Sequence, residues 1–204
     1  MPLQRRNFLK TAATVALPLF IPARVFGSAD QPGANERVKV GFAGLGGRAR
    51  WILQNEDLPG GQIVAVADCF TRRCDDVLPL IASKYPAWKP KTYPDIRQML
   101  DKEKLDAVFV DTTCHARVWC MLQALAAGCD VYGEKPLTLT VAEGRTLTKA
   151  VQKHKRILQT GTQQRSMPIN AYCSRLVREG AIGKVREVIV SRLREEPPTP
   201  GGGR

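Results

Sequence analysis

The sequence lacks the features of several protein classes. No apolar run among its 204 residues approaches the ~18 residues that a membrane-spanning helix needs. The six cysteines include no C-x-x-C pair, which argues against a disulfide scaffold and against a zinc ribbon, and no metal site is predicted. The composition, 44% hydrophobic and 25% charged, is that of a folded globular protein.

Aromatic residues are also scarce, at 6%, although the formal net charge is +12. The positive charge lies at the two ends, with four basic and no acidic residues in 1–29 and 11 basic and four acidic residues in 150–204. Residues 30–149 are nearly neutral, with 16 basic and 15 acidic residues. Because a nucleic-acid surface needs a basic patch interleaved with stacking aromatics, the sequence argues against a nucleic-acid partner.

The first 29 residues have the pattern of an export signal. Arg5 and Arg6, followed closely by Lys10, precede an apolar run of about ten residues, and small residues allow cleavage after Ala29. The arginine pair resembles the twin-arginine signal, whereas an amphipathic N-terminal helix is the alternative. The sequence thus predicts a twin-arginine signal peptide at 1–29, recognition by the export machinery, a periplasmic location and no stable membrane insertion.

Short apolar runs alternate with helical patterns after the leader, which predicts an α/β fold with a Rossmann-type doubly wound parallel sheet. Strands are predicted at Val38–Ala43, Ile63–Ala67, Ala107–Val110, Asp130–Tyr132 and Ile157–Leu158. Helices are predicted at Ala49–Asn55, Asp75–Lys84, Ile96–Asp101, Val118–Ala127 and Val141–His154. The segment Tyr85–Pro94 contains three prolines, so a loop is expected there.

The last part of the chain predicts the start of a second α/β domain with an open sheet. A helix is expected at Pro168–Gly180 and a strand at Val185–Val190, before a tail rich in proline and glycine. Since a single strand has no partner, this domain is expected to be truncated and the chain to be a fragment. The predicted domains are the signal at 1–29, a linker at 30–37, an NAD(P)-binding domain at 38–160 and the incomplete domain at 161–204.

A glycine-rich turn is the strongest local signal. Gly44-x-Gly46-x-x-Ala49 follows a predicted strand and opens a predicted helix, as in the dinucleotide-binding fingerprint. Gly44 allows a tight turn, Gly46 lets the backbone approach a diphosphate, and Ala49 lets the helix pack closely on the sheet. Gly47 and Arg48 lie in the same turn, so all five residues are candidate cofactor contacts.

The fingerprint predicts an acidic residue about 20 positions further on, and Asp68 ends the second apolar run. Its carboxylate can accept hydrogen bonds from the adenosine ribose, which favours NAD over NADP. Arg72 and Arg73 follow closely and can pair with a 2′-phosphate, so NADP stays possible. A turn or helix-cap role is the alternative reading of Asp68.

Two more candidate sites follow strand ends, where ligands bind in open α/β sheets. Lys135 comes after the fourth run, where a buried amine can hold a substrate hydroxyl or move its proton, and Pro136 stiffens that turn. Thr112 and His115 close the third run, where Thr112 is a candidate cofactor contact and His115 a candidate catalytic residue in contact with cofactor or substrate. The alternatives are a surface turn for Lys135 and a place at the start of a helix for His115.

Taken together, these motifs resemble the Gfo/Idh/MocA oxidoreductases. The segments that carry the resemblance are VKVGFAGLGGR (38–48), VAD ending at Asp68, AGCDVYGEKP (127–136), QTGTQQR (159–165) and GAIGKV (180–185). One departure stands after the third run, where the family often has Thr-Pro-x-His-x-His and this chain has Thr-Thr-Cys-His-Ala-Arg (112–117).

The resemblance implies an NAD(P)-dependent oxidoreductase of a sugar or polyol, with Lys135 at substrate and nicotinamide and Glu134 helping to position it. Gln163 and Arg165 are implied near the active-site cleft. A C-terminal domain would make a homo-oligomer and supply an Asp and a His. Two alternatives stay open at this stage: an NAD-dependent glycoside hydrolase of the same family, and a nucleotide-binding remnant without catalysis.

Overall fold

The computed structural model describes residue 33 and residues 36–190. These residues fall into two units, of which the first ends at Gly161 and the second begins at Thr162. The predicted signal peptide, nearly all of the predicted linker and the tail from residue 191 lie outside the described residues. The predicted domain boundaries therefore remain predictions.

Six parallel strands form one sheet in the first unit, in the order β3-β2-β1-β4-β5-β6. This order is that of dinucleotide-binding folds, so the predicted Rossmann-type α/β sheet is confirmed. The strands are β1 (Val38–Ala43), β2 (Gly61–Ala67), β3 (Lys91–Tyr93), β4 (Ala107–Val110), β5 (Asp130–Glu134) and β6 (Leu158–Gly161). The helices are α1 (Gly47–Asn55), α2 (Thr71–Lys84), α3 (Ile96–Lys102), α4 (Cys114–Ala126) and α5 (Val141–His154).

Neighbouring strand residues point to opposite faces of the sheet, and each face is covered by its own helices. Phe42 is fully buried with α1 and α2 on one side, where its ring stacks on Phe109 at 4.6 Å. Ala43, the next residue, faces a core built with α3, α4 and α5. Because both faces are covered, the carboxyl ends of β1, β2, β4 and β5 are held in fixed relative positions at one edge.

Strand β3 corrects the predicted loop at Tyr85–Pro94. Its three residues lie between Pro90 and Pro94, and Tyr93 pairs with Ala67 of β2 and is buried. Proline interrupts a central strand but is tolerated beside a short edge strand, and β3 is at the edge of the sheet. The prolines marked the ends of the strand rather than its absence.

The described part of the second unit contains a 3-10 turn at Gln163–Ser166 and helix α6 at Pro168–Arg178. The predicted strand at Val185–Val190 is wrong, because this segment forms no strand and its last three residues are 76–87% exposed. Its β-branched residues have no neighbouring strand to pair with among the described residues. None of the helices in 36–190 is long and apolar enough to cross a membrane.

Candidate cofactor-binding site

The turn after β1 requires glycine at its first position. Gly44 has a φ of +85°, a left-handed conformation that side chains rarely adopt. A Cβ atom there would lie 2.6 Å from the backbone nitrogen of Thr112, so the backbone that follows β4 approaches too closely for any side chain. The Gly44 N–H donates to the carbonyl of Ala67, at 2.9 Å, which ties the turn to the end of β2.

Helix α1 presents its free N–H groups beside this turn. Gly46 is the N-cap residue, and no described side chain caps the helix. Cβ atoms built at Gly46 and Gly47 would meet no described atom within 4 Å, so the space above them is open. Ala49 is fully buried and packs the helix close to the sheet. An uncapped helix start below open space is a site that fits a diphosphate.

Asp68 is buried at the end of β2 and organises two turns. Its Oδ2 accepts the Leu45 N–H at 2.7 Å, and its Oδ1 accepts the Phe70 N–H at 2.9 Å. The predicted turn role is therefore present, and the remaining lone pairs of the carboxylate leave acceptors for a ribose. Arg73 lies 3.6 Å from Oδ2, and Arg72 is exposed in the first turn of α2.

One cleft of about 540 Å³ follows the carboxyl ends of these strands. It brings together four of the residues predicted for cofactor contact, and its mixed apolar and polar lining and its size suit a cofactor. Its lining includes Gly44, Gly46, Asp68, Thr112 and His115, with Trp119 and Ile96 at its apolar part. The residues present thus fit a dinucleotide, with the diphosphate at the glycine turn and the ribose near the Asp68 carboxylate.

The structure adds Asp111, which the sequence analysis did not single out. Asp111 follows β4, lines the same cleft, and its N–H donates to the Ala43 carbonyl at 2.8 Å. Both carboxylate oxygens are buried and have no hydrogen-bond partner among the described residues. Burial, followed by the nearby charge of Glu134, raises the pKa of Asp111 to about 7, against the opposing charges of Arg48 and Arg117.

Glu134 is 2% exposed at the end of β5 and joins this strand to α1. Its Oε1 accepts from Arg48 Nε at 2.7 Å and from the Tyr132 hydroxyl at 3.3 Å. Burial lowers the pKa of Arg48, but the hydrogen bond and charge of Glu134 outweigh it and raise the pKa overall. A Cβ atom at Gly161 would lie 2.6 Å from the Tyr132 hydroxyl oxygen, so only a glycine at this position of β6 leaves room for the hydroxyl group.

Lys135 was expected to be buried, but its side chain is exposed in the part of the chain that the structure describes. Its N–H donates to Glu134 Oε2 at 2.9 Å, so Glu134 orients the Lys135 backbone. Arg117 is buried and donates to the carbonyls of Thr112, at 2.6 Å, and of Pro136. This guanidinium holds the turn that carries Lys135 next to the turn after β4.

The remaining candidates have simpler positions. His115 is exposed in the first turn of α4, which begins at Cys114 rather than at the predicted Val118, and its Nε2 lies 3.4 Å from Thr113 Oγ1. It therefore is both a helix-start residue and a cleft residue. Gln163 begins the 3-10 turn of the second unit, and its role at the cleft stays a prediction.

Two signals in the sequence could have found the missed residues. Asp111 directly follows the apolar run of β4, the position from which ligand contacts arise in this fold. Arg117 is a charged residue on the apolar side of a helical pattern, where an unpaired charge is costly and a partner must exist. The length of α4 was underestimated because its first turn is polar.

The fold and the site have counterparts among known proteins. Residues 38–162 match the sequence profile of the Gfo/Idh/MocA group, described as an oxidoreductase family with an NAD-binding Rossmann fold. The chain is 34% identical over 132 residues to the inositol 2-dehydrogenase/D-chiro-inositol 3-dehydrogenase of Lacticaseibacillus casei, covering 63% of this chain and 36% of that protein. It is 27% identical over 150 residues to the scyllo-inositol 2-dehydrogenase (NAD(+)) of Bacillus subtilis, covering 72% of this chain and 42% of that protein.

A solved structure supports the same comparison. The crystal structure of myo-inositol dehydrogenase from Lactobacillus casei in complex with NAD(H) and myo-inositol aligns with a TM-score of 0.61 and 27% identity. The alignment covers 72% of this chain and 43% of that chain. The chain thus spans about two fifths of the length of the relatives it matches.

Proposed function

The chain belongs to the Gfo/Idh/MocA oxidoreductase family and has its NAD-binding Rossmann domain, and from this premise we propose that the protein is an NAD-dependent dehydrogenase of a polyol such as inositol. The observation that carries the proposal is the meeting, at one edge of the sheet, of the glycine turn, Asp68 and the turn of Glu134 and Lys135. The names of the relatives, which are inositol dehydrogenases, support the polyol class.

The proposed cofactor contacts follow from the donors and acceptors at the cleft. The N–H groups at the start of α1 bind the diphosphate, and Gly46 leaves it room to approach. Asp68 accepts hydrogen bonds from the adenosine ribose, which favours NAD. When bound, the nicotinamide supplies the hydride chemistry, and the protein supplies position and charge.

Lys135 is the proposed proton-transfer residue at the substrate hydroxyl. Arg117 and Glu134 hold its turn through backbone contacts, so the position of its backbone is defined although its side chain is exposed. An ammonium group has three donors and a flexible stem, which suits contact with a polyol hydroxyl. Proton transfer by a positioned side chain contributes ~10²–10⁴-fold to a rate.

Turnover of the full-length protein tests this function directly. Formation of NADH is followed with myo-inositol, scyllo-inositol and an aldose as substrates, and NAD binding is measured separately by calorimetry. Lys135→Ala should lower the turnover ~10²–10⁴-fold while NAD binds as before. Lys89→Ala, which removes another exposed lysine, is the matched control and should leave turnover unchanged. Full activity of Lys135→Ala would remove this residue from the mechanism.

The same assay separates redox turnover from NAD-dependent glycoside hydrolysis. The named relatives are dehydrogenases, which favours net oxidation of the substrate. A hydrolase would release the aglycone of a glycoside without accumulating NADH. A protein that binds NAD but shows neither activity would support the nucleotide-binding remnant instead.

Export by the twin-arginine route is part of the proposal, supported by the sequence pattern of the first 29 residues. Replacing both Arg5 and Arg6 by lysine should leave the precursor uncleaved in the cytoplasm. Appearance of the mature protein in the periplasm from that variant would contradict the route. We also propose, from the family resemblance, that the protein with a complete second domain is a homo-oligomer, which light scattering of the purified protein would test.

A further inference from the structure

Asp111 has an unusual environment for a carboxylate. It follows β4 directly beside the glycine turn, so that a Cβ atom at Gly44 would lie 2.8 Å from its carbonyl carbon. Asp111 and Gly46 are both lining residues of the cleft, and both carboxylate oxygens of Asp111 are buried and have no hydrogen-bond partner among the described residues. A buried polar group without a partner is costly in an empty site, and such groups often contact a ligand.

Charged groups face Asp111 from three elements. Glu134 lies on β5, Arg48 on α1 and Arg117 on α4, and each influences its charge. Arg48 and Arg117 already have other partners, since Arg48 pairs with Glu134 and Arg117 donates to two backbone carbonyls. Asp68 and His115 line the same cleft. The two arginines thus do not neutralise Asp111 by direct hydrogen bonds, and burial together with Glu134 raises its pKa to about 7.

We propose that Asp111 binds the dinucleotide as a neutral carboxylic acid that donates a hydrogen bond to the diphosphate, so that NAD binding takes up a proton from solvent wherever the carboxyl of the free protein is ionised. This inference rests on the proposed function. An ionised carboxylate beside the glycine turn would repel the two negative charges of a diphosphate, whereas the protonated acid adds a donor to the N–H groups at the start of α1. NAD affinity is therefore set in part by the protonation of Asp111.

The sign of the pH dependence follows from this coupling. Below pH 7 the free protein holds the proton, so NAD binds at full affinity. Above pH 7 the proton must be taken up on binding, so the affinity falls by up to ~10-fold per pH unit. If Asp111 instead accepted hydrogen bonds as an anion, for example from ribose hydroxyls, the affinity would rise with pH.

Calorimetry of NAD binding to the full-length protein, from pH 6 to pH 9, tests the inference without any activity assay. Titrations in buffers of different ionisation enthalpy count the protons taken up, and we expect close to one per NAD at pH 8. Asp111→Asn keeps a donor but cannot titrate, so its affinity should not change with pH. Asp111→Ala loses the donor and should bind NAD more weakly than Asp111→Asn at every pH.

His154→Gln is the matched control, because it removes a histidine, a side chain that also changes charge near neutral pH, from the end of α5 and outside the lining of the cleft. This variant should keep the pH dependence of the wild type. A wild-type affinity that is flat or rises with pH, or a fall that persists in Asp111→Asn, would overturn the role of Asp111. Absence of NAD binding at every pH would overturn the proposed function itself, which keeps the two failures distinct.

Discussion

Arg48 and Glu134 form an ion pair, with 2.7 Å between Nε and Oε1, that joins the helix after the glycine turn to the end of β5. Glu134 is nearly inaccessible, whereas the Arg48 side chain is 28% exposed. The same glutamate accepts the N–H of Lys135 through its other oxygen. One buried carboxylate thus connects the proposed diphosphate site with the turn that carries the proposed proton-transfer residue.

Arg48→Met should destabilise the protein because it leaves the Glu134 carboxylate buried without its charged partner. We expect the free energy of unfolding to fall by roughly 1–3 kcal/mol, as measured by urea denaturation. Arg50→Met is the control, since its pair with Asp76 is exposed on both sides and should contribute only ~0–1 kcal/mol. If Arg48→Met and Glu134→Gln have strictly additive effects in a double-mutant cycle, the two side chains are not coupled.

Gly44→Ala and Gly46→Ala should separate folding from cofactor binding. At Gly44 the backbone is left-handed, and a Cβ atom would lie 2.6 Å from the backbone nitrogen of Thr112, which follows β4, so a loss above about 2 kcal/mol in unfolding free energy is expected. At Gly46 the φ is −74° and the space is open, so only the less favourable N-cap residue should matter, at a cost of about 0.5–1 kcal/mol. The methyl group at Gly46 would occupy the space where the diphosphate approaches, so NAD should bind at least ~10-fold more weakly. Unchanged NAD affinity of Gly46→Ala would place the diphosphate elsewhere.

Asp68→Ala should weaken NAD binding and affect NADP binding less, because a carboxylate favours a ribose hydroxyl and repels a 2′-phosphate. The structure adds a stability loss of roughly 1–3 kcal/mol, since the N–H groups of Leu45 and Phe70 lose their acceptor. The ratio of NAD to NADP affinity corrects for that general loss, because both ligands are bound by the same protein. A ratio equal to that of the wild type would exclude contact between Asp68 and the ribose.

Asp111→Asn should change how stability depends on pH in the absence of cofactor. The folded protein holds a proton on Asp111 up to about pH 7, whereas the unfolded chain releases it near the ordinary value of 3.8. Wild-type stability from this group therefore falls as the pH rises from about 4 to 7, by up to roughly 4 kcal/mol, and is constant above. Urea denaturation should show that the free energy of unfolding of the variant, relative to that of the wild type, is higher at pH 8 than at pH 5. If the difference in unfolding free energy between variant and wild type is the same at both pH values, Asp111 is ionised in the folded protein at both.

Local pattern was a good guide to the elements and to the glycine turn. The bounds of β1, β4 and α5 match the prediction, because buried parallel strands and amphipathic helices have distinct hydrophobic periods. Strand β3 was missed because its three residues carry no periodic signal. A strand was wrongly predicted at Val185–Val190, because β-branched residues form a strand only beside another strand.

The sequence by itself determined the sheet and its first turn, since short-range sterics and hydrophobic patterning act along the chain. The positive φ of Gly44 and the buried run of β1 are such local features. Only the tertiary structure decided the exposure of Lys135, the role of Arg117 and the unpaired state of Asp111. Those properties depend on which backbone and charged groups arrive from distant strands and helices, and burial and electrostatics are set by that three-dimensional neighbourhood.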